Sequence, residues 1–317
     1  MSKNCFLFPG QGAQYAGMGK DLFDTYPKVR ELFETGSDIS GINLSKLLFE
    51  ADEETLMRTE NTQVAITAVN LASAIALREI GIEPHGCAGF SLGEFSGLCV
   101  SGILTTEDTF RIVKERGFFM QKNCDELAAS GNPPGMAAVL GLEYERILEV
   151  LQKASIELYA ANINSSVQTV VAGTAEGITE GETLLKEAGA KRYIPLKVAG
   201  PFHSPLMKSA KEEFESFISN IAFKDPVITC YSNVTGAPVK SGSEAKKLSA
   251  AQIISPVQWI NEQTAILEAG YNACFEVGPG KVLSGLWKYI SKDIPCSTAG
   301  TMDDVNNLKG VEYVATR

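Results

Sequence analysis

The stretch Gly89-Phe90-Ser91-Leu92-Gly93-Glu94 has the spacing Gly-x-Ser-x-Gly, set between an apolar, strand-like run over 86–90 and a helix-like run that opens at Gly93. Glycines on both sides of the serine let the backbone turn where a Cβ would clash. A helix that starts just after Ser91 offers unpaired N–H groups to a developing oxyanion. The chemistry such a serine suggests is acyl transfer through a serine ester. In a chain with 29 glycines the same pattern also fits a plain strand, turn and helix junction, so a base has to be found elsewhere.

The sequence contains two histidines, and the base that a serine nucleophile requires is therefore His85 or His203. His85 lies in Ile82-Glu83-Pro84-His85-Gly86, where the chain enters the strand at the end remote from Ser91. It reads as a solvated turn residue. His203 lies in Gly200-Pro201-Phe202-His203-Ser204-Pro205, after the strand-like run 192–198, in a loop that glycine and proline hold stiff. It is either the base or a packed core histidine.

Two further segments carry chemistry. Phe8-Pro9-Gly10-Gln11-Gly12-Ala13-Gln14 turns off the first strand but fits neither phosphate-loop template, because Tyr15 and Gln14 stand where glycine would be needed. It reads either as a loop that offers amides and Gln11 to an oxyanion or carboxylate, or as a surface turn. Arg116 sits on a helix over 108–126 whose apolar spacing predicts one buried face. A partly buried guanidinium grips a carboxylate bidentately, or it makes a structural ion pair, here with Glu115 or Glu94.

These residues need a scaffold, and the N-terminal pattern supplies one. Strand-like Cys5–Phe8 and 86–90 alternate with helix-like runs over 26–35, 62–79 and 93–100, which predicts a mainly parallel sheet with crossover helices. Ser130-Gly131-Asn132-Pro133-Pro134-Gly135 marks a linker. Beyond it the order is strand 136–141, helix 144–154, strand 158–162, strand 169–173, helix 179–188 and strand 192–198. That βαββαβ order predicts a ferredoxin-like subdomain over 132–198, inserted into a discontinuous domain of 1–131 and 199–317. The C-terminal part adds helices over 209–221 and 258–269, strands over 227–232 and 273–277, and a helix after Gly278-Pro279-Gly280.

With 317 residues, 44% hydrophobic and 21% charged, the chain can bury a large core and is neither disordered nor rich enough in apolar residues for a membrane protein. The longest apolar stretch, Val64 to Leu77, is too short to span a bilayer and reads as a buried helix. A net charge of −10 argues against nucleic acid or an anionic membrane surface as partner, so an anionic substrate must meet a local cation. Seven scattered cysteines without a Cys-x-x-Cys pair suggest buried thiols, neither disulfides nor a metal site. No secretory pattern opens the chain, and the expected compartment is the cytoplasm.

Over nearly its whole length the chain resembles the malonyl-CoA:acyl carrier protein transacylases of type II fatty-acid synthesis. The resemblance rests on Phe8-Pro9-Gly10-Gln11-Gly12, Ser91-Leu92-Gly93-Glu94, Lys114-Glu115-Arg116-Gly117, Gly200 to Met207, Ser255-Pro256-Val257-Gln258-Trp259 and Glu276-Val277-Gly278-Pro279-Gly280, in the family's order and spacing. It implies an α/β-hydrolase-like core with a ferredoxin-like insertion, and a ping-pong transfer of malonyl from malonyl-CoA to the phosphopantetheine thiol of acyl carrier protein. Ser91 would be the nucleophile and His203 the base. The backbone N–H groups of Gln11 and Leu92 would form the oxyanion hole, and Arg116 would pair with the malonyl carboxylate. Phe202 would crowd a branched acyl group, and the Gln252 carbonyl would orient the imidazole in place of an aspartate. No metal and no cofactor are implied beyond these substrates.

The chain departs from the family at Phe90, where histidine is usual, and at Ser255, where asparagine is usual. An acyltransferase serving a polyketide synthase would share every residue quoted. A serine esterase would share the elbow but is disfavoured by Arg116 and Gln11, and a non-catalytic carrier-binding module by the presence of both nucleophile and base.

Overall fold

The computed structural model of the chain describes residues 3–129, 131 and 133–310. Two separate sheets organise it. The first runs β1 (Asn4–Phe8), β2 (Gly86–Gly89), β7 (Thr229–Cys230), β8 (Ala273–Glu276) and β9 (Cys296–Thr298), in the order β7-β2-β1-β8-β9 with every pairing parallel. The second runs β3 (Gly135–Leu140), β4 (Leu158–Ser165), β5 (Gln168–Gly173) and β6 (Arg192–Pro195), in the order β4-β5-β3-β6 with every pairing antiparallel. The architecture is thus mixed α/β, a parallel sheet flanked by helices together with a smaller antiparallel one.

The parallel pairing decides where the site can form. β1 and β2 run in register with Phe8 opposite Gly89, so the loops that leave them, Pro9-Gly10-Gln11 and Phe90-Ser91-Leu92, emerge side by side at the carboxyl edge. β8 pairs β1 with Glu276 opposite Leu7 and delivers the Gly278–Gly280 turn to the same edge. Buried Glu276 then accepts the Leu283 and Ser284 N–H groups at 3.0 and 2.8 Å, capping the helix Val282–Trp287 and fixing it beside the elbow.

Two long helices back the site. Thr59–Glu79 is buried on nearly every face, so small and apolar residues occur all round it without a polar stripe, and its Gln63 and Asn70 are buried as well. Thr106–Ala128 begins at Thr105, whose side chain accepts the Asp108 N–H at 3.0 Å. The two helices touch at Gly117, where an added Cβ would stand 2.9 Å from Glu60 Cα, and this close approach brings Arg116 into the interior.

In the antiparallel sheet, strand alternation separates two faces. Ala137, Val139 and Val171 pack with Ile147 and Leu185 of the helices Tyr144–Lys153 and Ala175–Glu187, while Met136, Ala138 and Val170 face the large core. A bulge between Ala160 and Asn162 re-aims β4, and Val257 bridges to it through Ile163 N–H to Val257 O at 2.9 Å and Val257 N–H to Ala161 O at 2.8 Å.

Several expected boundaries shift. The strand expected over 227–232 is only Thr229–Cys230, because the chain turns at Ser232–Gly236, and that over 192–198 stops at Pro195, past which a single hydrogen bond from the Leu196 N–H to the Met136 carbonyl at 2.9 Å ends the contact with β3. The helix expected from 179 starts at Ala175, capped by Thr174. Of the expected linker, Ser130 and Asn132 lie outside the described residues, and Gly135 already belongs to β3. Short helices at Lys20–Thr25, Leu44–Phe49, Glu53–Met57, Gly242–Ala251 and Met302–Leu308, and the strand β9, were not anticipated from sequence. No helix among the described residues is long and apolar enough to cross a membrane.

Replacing Glu276 by Ala should leave two buried N–H groups without partners and lower unfolding stability by about 2 kcal/mol or more, read by urea denaturation. An unchanged midpoint would show that the cap contributes nothing to the carboxyl edge.

Candidate active site

Ser91 sits at the turn between β2 and the helix Gly93–Val100, and its backbone is left-handed, with φ of 51°. His203, in the loop after β6, has φ of 60°; these two are the only non-glycine residues with positive φ among the described residues. Backbone strain of this kind persists only where the surroundings hold it, and here it falls on two residues from distant parts of the chain. Their side chains meet, with Ser91 Oγ 2.7 Å from His203 Nε2. On the far side of the ring Nδ1 lies 2.8 Å from the Gln252 carbonyl oxygen. That acceptor holds the proton on Nδ1 and leaves Nε2 free to accept from the serine.

The elbow is glycine-bound for packing reasons. A Cβ at Gly93 would overlap the Phe8 carbonyl, and one at Gly10 would overlap the Phe90 carbonyl and stand 3.5 Å from the Leu92 nitrogen. The Gln11 loop is thereby pressed against the start of the helix, and buried Asn70 holds it there by donating to the Pro9 carbonyl at 3.0 Å. Among the described residues the N–H groups of Gln11 and Leu92 have no hydrogen-bond partner, and both residues line one cavity with Ser91 and His203.

That cavity, of about 260 Å³, lies between the two sheets and includes Arg116 and Phe202 in its wall. The antiparallel sheet covers it with the alternate residues Asn162, Asn164, Gln168 and Val170. A wider cavity of about 730 Å³ adjoins it, sharing Gln11 and Val198, with Tyr15, Met57 and Lys197 in its wall.

Arg116 is 1% exposed and contacts no carboxylate, so the ion pair with Glu115 or Glu94 is not formed. Its Nη1 donates to Gln63 Oε1 and its Nη2 to Gln252 Oε1, each at 2.9 Å, and its Nε is buried without a partner. Phe95 lies beneath the guanidinium at 5.3 Å. Burial lowers its pKa to about 10, still well charged at neutral pH, and the neighbouring Glu94 opposes the shift. A buried cation held by neutral amides retains unused attraction for an anion.

Burial, and then the Arg116 charge, depress the His203 pKa to about 4, against the pull of the Gln252 and Ser255 backbone carbonyls. The imidazole is therefore neutral and able to accept a proton through the neutral range. Glu94 moves the other way, to about 7, because desolvation outweighs its hydrogen bonds from Gln252 and Asn233.

His85 is exposed at the opposite end of β2, where its Nδ1 accepts the Asn4 N–H at 3.2 Å, far from the elbow. Phe90 packs edge-on against buried Trp259, ring centroids 5.4 Å apart, which accounts for an apolar ring at this position. Gln63, Asn70, Asn233 and Glu262 were missed from sequence. Each lies in a helix or turn whose composition is ordinary, and only their convergence gives them a role.

The geometry can be compared with known proteins. The acyl transferase domain family model matches residues 5–312. The chain belongs to the acyl transferase family that includes the malonyl-CoA:acyl carrier protein transacylases. A malonyl CoA-acyl carrier protein transacylase of Bacillus subtilis is 39% identical over 295 residues, 92% of either chain. The crystal structure of a transacylase of the same name from Clostridium perfringens superposes with a TM-score of 0.91 at 36% identity, covering 96% of both chains. A malonyl-transacylase solved in complex with a type II polyketide synthase acyl-carrier protein gives 0.90 at 32% identity, over 97% of this chain and 99% of the other.

A buried imidazole placed this way has a measurable signature in its titration. With only two histidines in the chain, the imidazole signal lost in His203→Ala should titrate near pH 4 in the wild-type NMR spectrum. Because the folded ring binds its proton less tightly than the unfolded one, with midpoint about 4 against 6.5, this contribution to stability is complete above pH 6.5 and is lost as pH falls toward 4. A His203 midpoint at 6.5 would contradict the buried, neutral ring.

Proposed function

We propose that the protein transfers malonyl from malonyl-CoA to the phosphopantetheine thiol of acyl carrier protein through an ester on Ser91. The observation that carries the reading is the pairing of a Ser91–His203 contact with a buried, carboxylate-free Arg116 in one cavity. The first explains acyl transfer and the second a preference for an acyl group that ends in a carboxylate.

Ser91 Oγ attacks the thioester carbonyl as its proton passes to His203 Nε2. The N–H groups of Gln11 and Leu92 receive the oxyanion, each such donor contributing about 3 kcal/mol or more. The C–S bond then breaks, and the proton on Nε2 goes to the departing coenzyme A thiolate. In the second half-reaction the carrier's thiol gives its proton to Nε2, its sulfur attacks the malonyl ester, and the proton returns to Ser91 Oγ. Arg116 holds the malonyl carboxylate throughout, and Phe202 narrows the space beside its α-carbon. The adjoining wider cavity gives the pantetheine arm a path to the serine. No metal or resident cofactor takes part.

The same proposal covers the finer architecture. The core of 1–131 and 199–317 is α/β-hydrolase-like, a reading supported by the nucleophile turn at the end of a parallel strand. The insertion at 132–198 is ferredoxin-like, supported by its βαββαβ order and the strand order β4-β5-β3-β6. The setting is the cytoplasm, in keeping with seven cysteines that form no disulfide. The carrier is that of fatty-acid synthesis, as the resemblance of the sequence implies, and a polyketide carrier is the alternative raised by the complex.

Intact mass spectrometry after mixing with malonyl-CoA should show one malonyl adduct on Ser91 that disappears when reduced acyl carrier protein is added. Ser91→Ala should give no adduct, and an unchanged yield would overturn the assignment. Offering fatty-acid and polyketide carriers in competition identifies the partner by which one discharges the ester faster.

Replacing Arg116 by Ala should reduce malonyl transfer far more than acetyl transfer. Loss of a desolvated charge pair commonly costs about 2 to 5 kcal/mol, so the malonyl-to-acetyl ratio of kcat/KM should fall at least tenfold. Equal losses for both acyl groups would make Arg116 structural.

A further inference from the structure

β7 pairs β2 only at Gly86 and Cys87, and after the Tyr231 N–H reaches the Cys87 carbonyl at 2.9 Å the chain turns away through Ser232–Gly236. The ladder therefore has no backbone to offer the last residues of β2 and the elbow. The buried side chain of Asn233 stands in that gap. Its Oδ1 accepts the Ser91 N–H at 2.7 Å, and its Nδ2 donates to the Gly89 carbonyl at 2.6 Å. A carboxamide carries an acceptor and a donor as a peptide group does, and here it replaces the missing strand residue.

We infer that Asn233 is a positioning residue for acyl transfer: its side chain, anchored by Glu262, clamps the elbow on both sides of Phe90, at the Gly89 carbonyl and the Ser91 N–H, and holds the left-handed backbone that aims Oγ at His203. The inference rests on the reading of Ser91 as nucleophile. Taking up the Ser91 N–H also keeps that donor away from the oxyanion and leaves the role to Gln11 and Leu92. Asn233 is itself fixed on every side. Nδ2 donates to Glu262 Oε1 at 2.7 Å, the backbone N–H donates to Glu94 Oε2 at 3.1 Å, and the backbone carbonyl accepts the Gln258 N–H at 2.8 Å. Gln252 completes the frame from the other side, donating to the Ser91 carbonyl at 3.0 Å and to Glu94 at 2.7 Å. Burial and the nearby Glu94 push the Glu262 carboxyl well above its usual range, while its Oε1 accepts from the Asn233 amide.

The test uses the full-length protein and two reagents, malonyl-CoA and a fluorophosphonate, which reads serine reactivity without any carboxylate. Asn233→Ala should slow single-turnover acylation of Ser91 and fluorophosphonate labelling together, by at least about tenfold, as misplacement of a reacting group does. In a Ser91→Ala background the same change should leave the Kd for malonyl-CoA within about twofold, since Arg116 is untouched. Wild-type acylation rates in Asn233→Ala overturn the inference, as does a loss of malonyl-CoA binding that matches the loss of rate. If Asn233→Ala fails to fold, the anchor decides. Glu262→Leu should slow acylation while Glu262→Gln, which keeps the acceptor without a charge, should retain it, and equal wild-type rates in both overturn the inference. Absence of fluorophosphonate label on wild-type Ser91 would instead sink the nucleophile assignment itself.

Discussion

A serine held in a left-handed backbone at the end of a parallel strand is the constraint around which this molecule is arranged. An L-residue at φ of 51° is strained, and it persists only where neighbours over-determine it. Here those neighbours are the glycines that let the Gln11 loop and the helix Gly93–Val100 close in, and the amides of Asn233 and Gln252 that bind the Ser91 N–H and carbonyl. His203 carries the same kind of strain from a loop more than a hundred residues away. The Ser91 to His203 contact is thus made by two backbones held in place before substrate arrives.

The electrostatics follow from burial more than from pairing. Arg116, Glu94, Glu262 and His203 all lie in the interior behind the elbow, and amides separate them where salt bridges might have formed. Gln252 is the hub, since its carbonyl takes the imidazole, its Oε1 takes Arg116, and its Nε2 bonds Ser91 and Glu94. A carboxylate in its place would neutralise the guanidinium and remove its attraction for an incoming anion. It would also raise the affinity of the imidazole for its proton.

The second sheet closes the site. Its inner face supplies Asn162, Asn164 and Gln168 to the cavity, and the Val257 bridge ties β4 to the segment that follows Gln252. The cover over the serine and the carbonyl behind the histidine are therefore parts of one continuous structure.

Much of this was legible in the chain itself. The glycine spacing around Ser91, the scarcity of histidine and the alternation of strand and helix patterns are local signals, because turn sterics and hydrophobic periodicity act over a few residues. They located the elbow, the two histidines and most of the long elements. Short helices such as Leu44–Phe49 and Glu53–Met57 escaped because one turn or so of helix draws its stability from packing rather than from its own pattern. The partners of Arg116 and the clamp at Asn233 could not be read at all. A buried Gln or Asn has no periodic signature, and which amide meets which charge is settled only when strands paired in register bring residues 63, 91, 116, 233 and 252 to one edge of the sheet.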